Sequence, residues 1–273
     1  MNKAIILLLV TFSMISCTKS FIQVLDTATT NTRSDGGYYS FETDTLKIIY
    51  SFWANNGVLS FTIFNKLDKP LYVDWKNSSF IRNGKALYYW LDESQTNMIS
   101  QNSGFIYKGP LLSPGYSINY GNQNTSAHTV KPERITFIPP HSYCYKSEFY
   151  LWPNSIFKFN NNVKEEIVKR NDKPNKKTKV YHEEYSLVNS PLTFRNFLAF
   201  SFSENSNSYF FADNEFYLTT VNEMDFRHYK VKFLGYDKKN NHIYAASRFE
   251  KETSFYIKIL RKNSTEVINK YSQ

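Results

Sequence analysis

Cysteine, histidine and glycine are scarce here, and each scarcity removes a class of protein. With only Cys17 and Cys144 among 273 residues, a small scaffold stapled by disulfides is excluded. Nine glycines are spread without a G-x-G-x-x-G or P-loop pattern, so the backbone cradle for nucleotide phosphates is missing. No G-x-S-x-G elbow is present to expose a nucleophilic serine. His182-Glu183-Glu184 lacks the second histidine that H-E-x-x-H requires. His141 and Cys144 stand three apart and could form half a metal site, but nothing nearby supplies the other half. No apolar run approaches the roughly 20 residues that a membrane-spanning helix needs. These gaps predict a protein that is not an enzyme and uses no cofactor or metal.

What is abundant is aromatic. Phe and Tyr number 23 and 21, aromatics make up 18% of the chain, and hydrophobic residues 41%. This is too much apolar surface for a disordered chain. High Phe and Tyr, with Ile, Val and Thr, favour strands over helices. Positive charge also exceeds negative, for a net +9. The densest basic run is "KRNDKPNKKTK", Lys169 to Lys179, just after Lys164. It reads as a solvated loop, or as a patch for anionic lipid, glycan or nucleic acid. It has no interleaved aromatics for base stacking, so no nucleic-acid partner is expected.

The N-terminus is the most specific segment. Lys3 precedes the apolar run Ala4 to Val10, and a mixed stretch leads to Met14-Ile15-Ser16-Cys17. This has the n-region and h-region of a secretory signal. The four residues ending in Cys17 resemble the lipobox of bacterial lipoproteins. That resemblance covers the first 17 residues and implies cleavage between Ser16 and Cys17. It also implies a diacylglyceryl thioether on Cys17, often with a further acyl group such as palmitate on the new amino terminus. Two or three chains give stable anchoring where one is marginal. Thr18 and Lys19 follow, with neither the Asp retention signal nor the acidic export cluster of some lipoproteins, so the resemblance implies a body at the outer membrane facing the periplasm. More broadly the chain resembles envelope lipoproteins of Bacteroidota, a group that supplies no catalytic residues to carry over.

Beyond the anchor the pattern is period 2. Leu46, Ile48, Tyr50 and Phe52 alternate with Lys47, Ile49 and Ser51; Leu59, Phe61 and Ile63 repeat the rhythm after Asn55-Asn56-Gly57. Leu71, Val73 and Trp75 share one side, and Tyr72, Asp74 and Lys76 the other. Asn83-Gly84 predicts a type I′ hairpin turn. Further strands are predicted in "ERITFIPPHSYCYKSEFYLW", "TFRNFLAFSF", "EFYLTTV", "HYKVKFLGY", "HIYAAS" and "SFYIKIL", and a Pro-Gly turn in "LLSPGYSINY". At least ten strands with short turns predict an all-β, antiparallel sandwich. Asn65 to Val73, with its N-x-x-x-x-P-hydrophobic order, resembles a corner of immunoglobulin-like envelope domains. The predicted organisation is a signal helix over 1–16, a lipidated tether over 17–37 with at most a short first strand at "FIQVL", and a sandwich over 38–273. Within the last, 160–184 is expected to be a polar, Lys-rich insertion or short helix.

Two functional readings follow. One is a membrane-anchored lipoprotein whose sandwich binds an envelope protein partner or acts as a scaffold. The other is a glycan-binding accessory protein, since sugar faces stack on flat rings. For the second, the densest aromatic clusters are "ALYYW" and "SYCYKSEFYLW" (Ser142 to Trp152); the first offers Tyr88, Tyr89 and Trp90 as aromatic contacts, with alternation setting Tyr88 and Trp90 on one face. The same rings could instead fill the core.

Overall fold

The fold was analysed in a computed structural model, which describes residues 19–35, 37–91, 95–107, 118–130, 133–153, 156–160, 162–229, 233–236, 242–244, 247 and 249–261. The signal segment and Cys17 lie outside them, as does most of the predicted Pro-Gly turn. In chain order the strands are β1 (Lys19–Thr29), β2 (Arg33–Asp35), β3 (Tyr38–Glu42), β4 (Leu46–Ser51), β5 (Val58–Asn65), β6 (Leu71–Arg82), β7 (Lys85–Tyr88), β8 (Gln95–Tyr107) and β9 (Ile118–Val130). They continue with β10 (Ile135–Ile138), β11 (Tyr143–Tyr150), β12 (Lys164–Lys169), β13 (Lys177–Glu184), β14 (Thr193–Ser201), β15 (Phe210–Asp225), β16 (Phe233–Tyr236), β17 (His242–Tyr244) and β18 (Ser254–Arg261). A single-turn helix, α1 (Phe226–Tyr229), follows β15.

Two antiparallel sheets carry the body. The larger runs β10-β6-β14-β15-β1-β18, with β12 and β13 added on β15 and β7 on β6; the smaller runs β11-β5-β4-β3-β2. Strand β15 is the spine of the larger sheet. One edge pairs with β14 along Phe210 to Tyr217 and with β13 along Thr220 to Met224, while the other pairs with β1. The hairpins β8–β9 and β16–β17 each form a sheet of their own.

The predicted alternation is what joins the two sheets. Leu46, Ile48, Tyr50, Leu59, Phe61 and Ile63 turn inward from the smaller sheet and are buried. Phe194, Leu198, Phe200, Ala212, Phe216 and Leu218 meet them from the larger one in a single core. Each fully buried Phe or Leu contributes about 1.5–3 kcal/mol. The Asn83-Gly84 turn forms with φ of 47° and 78°, the left-handed pair a type I′ turn needs. Asn65, fully buried, fastens the turn between β5 and β6: its amide donates to the carbonyls of Lys69, Ile138 and Pro139, and its oxygen accepts from Leu67 N at 3.0 Å.

Two expectations are corrected. Residues 19–35 hold more than a short strand and a tether. β1 is an interior strand, paired with β15 on one side and β18 on the other, so the sandwich begins at Lys19 rather than at residue 38. Its inward residues include Leu25 and the buried Gln23, while Ile22 and Val24 pack outward into a second cluster with Val180 and Met224. Phe226, Tyr229 and Phe249 pack against that cluster. A strand covered on both faces has no clean apolar–polar rhythm. The segment 160–184 is not a helix either. It forms the β12–β13 hairpin, whose second strand docks on β15 through Val180↔Met224 to Glu184↔Thr220.

Candidate functional site

Among Tyr88, Tyr89 and Trp90, no shared exposed face forms. Tyr88 is 57% exposed, Tyr89 is buried at 5%, and Trp90 is half-buried beside Lys76. Tyr89 belongs to the core. Its hydroxyl donates to Asn196 Oδ1 at 2.7 Å, Asn196 Nδ2 donates to Tyr50 OH, and Tyr50 donates to Asn214 Oδ1. Burial pushes the Tyr50 and Tyr89 phenols above their ordinary range, so both remain neutral donors.

A broader aromatic face lies elsewhere, on the outer side of the larger sheet, and the sequence reading missed it. Phe137 pairs with Tyr72 across β10 and β6, their rings 5.5 Å apart. Two residues along β6 is Asp74, opposite Ala199, which in turn pairs with Phe211. Phe211 stacks on Phe197 at 5.1 Å and lies 6.5 Å from Tyr209. Phe137 and Phe211 are 50% and 53% exposed, so this face offers apolar rings to solvent across four strands.

Asp74 organises that face. Residues 75–78 bulge out opposite Leu198. The Asp74 carboxylate folds the bulge back, accepting from Lys76 N at 2.9 Å and from Asn77 Nδ2 at 3.0 Å. It also accepts from Tyr209 OH at 2.9 Å and faces Arg134 Nη2 at 3.4 Å. The bond to Asp74 holds the Tyr209 phenol above its ordinary pKa. The bulge drives Trp75 inward, where its indole donates to Thr136 Oγ1 at 2.8 Å. The donors from Lys76, Asn77, Tyr209 and Arg134 tie the bulge to the segments before β15 and β10.

Trp75 also forms the floor of a cleft of about 360 Å³, lined by Tyr89, Glu133, Thr136, Cys144, Tyr145 and Lys146. It opens between the edge strands β10 and β11. Lys146 reaches inward from β11 and sets its ammonium 4.9 Å from the Trp75 ring. An inward charge on an edge strand blocks further strand pairing. Burial pushes the Cys144 thiol up to about 11, so at neutral pH it is a packed thiol rather than a nucleophile. His141 pairs with Asp68 at 2.7 Å and not with Cys144. Among the described residues no cluster of three metal-ligating side chains occurs.

Glu183 and Glu223 are buried carboxylates on adjacent strands. Gln23 donates to Glu223 Oε2 at 2.7 Å and also to the Phe157 carbonyl, and Phe157 N donates back to Gln23. Asn160 N donates to Glu183 Oε2 at 3.0 Å. These bonds fasten segment 156–160 over the sheet. No protein-family model matches the chain, and neither a curated protein nor a solved structure does.

Proposed function

We propose that the protein is a lipoprotein of the bacterial cell envelope, anchored through acyl chains on Cys17 at the outer membrane, with an immunoglobulin-like sandwich as a non-enzymatic binding or scaffolding module. The observation that carries this reading is the apolar run ending at Met14-Ile15-Ser16-Cys17, with the first strand of the body starting two residues later. Cleavage before Cys17 would leave β1, which begins at Lys19, intact. The Asn65 corner supports the immunoglobulin-like assignment. Among the described residues no helix is long and apolar enough to cross a membrane, so the acyl chains would provide the attachment. Cys17→Ser is expected to leave the signal unprocessed and the chain without acyl mass. Intact mass spectrometry and detergent partition check this; normal processing and unchanged partition would sink the anchor.

Glycan binding is the second reading, and the outer aromatic face favours it over the "ALYYW" segment. Phe211 and Phe137 present exposed rings on one sheet surface. Phe211→Ala is expected to weaken binding to an envelope polysaccharide about tenfold, the scale of one lost stacking contact. Calorimetry on both proteins tests it, and equal affinity or no binding by either removes this reading.

A further inference from the structure

The Lys-rich hairpin has a defined place relative to the anchor. Ile22, Met224 and Val180 form one row across β1, β15 and β13. Both β1 and β13 run antiparallel to β15, so their N-terminal ends point the same way. Three residues back from the row stand Lys19 on β1 and Lys177 on β13. Two strand spacings separate them, about 10 Å. Cys17 lies two residues beyond Lys19, and the hairpin tip, residues 170–176, projects beyond Lys177 in the same direction.

The tip is held there. Asn171 Nδ2 donates to the His228 carbonyl at 2.6 Å, which ties it to α1, and α1 directly follows Asp225, the partner of Phe21. Arg170 N donates to the Lys176 carbonyl and Lys176 N to that of Lys173, closing the turn. Of the acidic groups at this end, Asp172 pairs with Arg170, Asp225 with Arg227 and Glu165 with Lys179, while Glu166, opposite Val180, forms no ion pair among the described residues. Lys169, Lys173, Lys176 and Lys177 are exposed and form no ion pair among the described residues. Residues 169–179 hold six basic groups and one acidic, a net of +5.

We propose that the tip of the β12–β13 hairpin is a second membrane contact, pressing Lys173, Lys176 and Lys177 against anionic phospholipid headgroups beside the acylated Cys17. The proposal rests on the anchor reading. With one residue, Thr18, between the anchor and β1, the large sheet cannot swing far from the bilayer, and the end that meets the surface is the basic one. A lysine held near an anionic surface gains about 1 kcal/mol, roughly a fivefold preference each. One anchored end and one charged contact fix both the distance and the tilt of the body. The aromatic outer face lies toward the opposite end of β15, near Phe211, and would stay clear of lipid.

The test uses the full chain, processed in a bacterial host and reconstituted in phosphatidylcholine vesicles with or without phosphatidylglycerol. A membrane-impermeant amine-acylating reagent then labels exposed lysines, and mass spectrometry reads each site. Labelling of Lys173, Lys176 and Lys177 should fall about fivefold with phosphatidylglycerol and recover at high salt. Lys69, beyond the far end of β15, should label equally in both vesicles. Equal labelling of the hairpin lysines in both vesicles, on a chain whose intact mass includes the acyl groups, overturns the hairpin contact and leaves the anchor standing. Protection of equal size in neutral vesicles also overturns it, since charge would not be the cause. An intact mass without acyl groups overturns the anchor and the contact together.

Discussion

Phe216→Ala should lower unfolding stability by about 3–5 kcal/mol, the range for emptying a large aromatic site in a packed core. Phe216 is fully buried at the centre of the contact between the two sheets. Its ring lies 5.3 Å from Tyr39, 4.9 Å from Tyr50 and 5.2 Å from both Phe52 and Phe194. Those neighbours come from both sheets, so no one strand can shift to close the gap. Tyr50 also donates to Asn214, two residues before Phe216, and loss of the ring would loosen that bond. Urea denaturation followed by tryptophan fluorescence measures the change. Phe211→Ala, on a ring 53% exposed, is the control and should cost under about 1 kcal/mol. If the two losses match, the core does not centre on Phe216.

Phe216 and Phe211 show what a one-dimensional pattern can resolve. Both sit in one run of alternating aromatics, and alternation separates the faces without saying which one is covered. Phe210, Ala212, Asn214 and Phe216 turn inward; Phe211 and Asp213 turn outward. The strands at 46–51 and 58–65 were legible because one face of each is buried and the other is not, and 193–201 shows the same alternation as far as Leu198. β1 was legible only as a short strand at "FIQVL" before a tether, because Ile22 and Val24 are buried on one face while Gln23 and Leu25 are buried on the other. Its polar Asp26 and Thr27 look like tether residues, and Gln23 like an outward one, until their partners are known. Gln23 bonds Glu223, Thr27 bonds the Thr253 carbonyl, and Asp26 accepts from Ser254, all about 200 residues away along the chain.

The hairpin at 164–184 was hidden by its own edge chemistry. Lysines along an exposed strand suppress unwanted pairing, and the same lysines make the segment read as loop. Val180 and Tyr181 were the local signals of a strand, but their meaning depends on Met224 and Glu223 across the ladder. The aromatic outer face had a similar limit. Its rings come from β6, β10, β14 and β15, and Asp74, which shapes it, looks like an ordinary polar residue in an alternating strand. The lipobox resemblance, by contrast, rests on contiguous residues, so it can be stated from sequence alone, whereas the outer aromatic face needs four strands brought together.

Gly57→Ala is expected to cost about 3 kcal/mol or more, against roughly 1 kcal/mol for Gly84→Ala. Both glycines adopt left-handed backbone, with φ of 63° and 78°. Strain alone therefore predicts similar penalties. The surroundings separate them. A Cβ on Gly84 meets nothing within 4 Å, whereas one on Gly57 would lie 2.8 Å from Phe255 Cγ and 3.1 Å from Leu151 Cβ. Phe255 is fully buried on β18 and cannot yield without opening the core. The turn around Gly57 is also where the two sheets are stitched. Asn56 N donates to the Tyr256 carbonyl, Leu151 N to that of Gly57, and Trp152 N to that of Asn56. A methyl there pushes on β18, and β18 pairs directly with β1, two residues from Cys17. The substitution should therefore raise hydrogen exchange at Ile22 to Leu25 as well as lower the denaturation midpoint. Equal losses for the two alanine variants would mean that backbone strain, not the close approach of Phe255, sets the requirement for glycine.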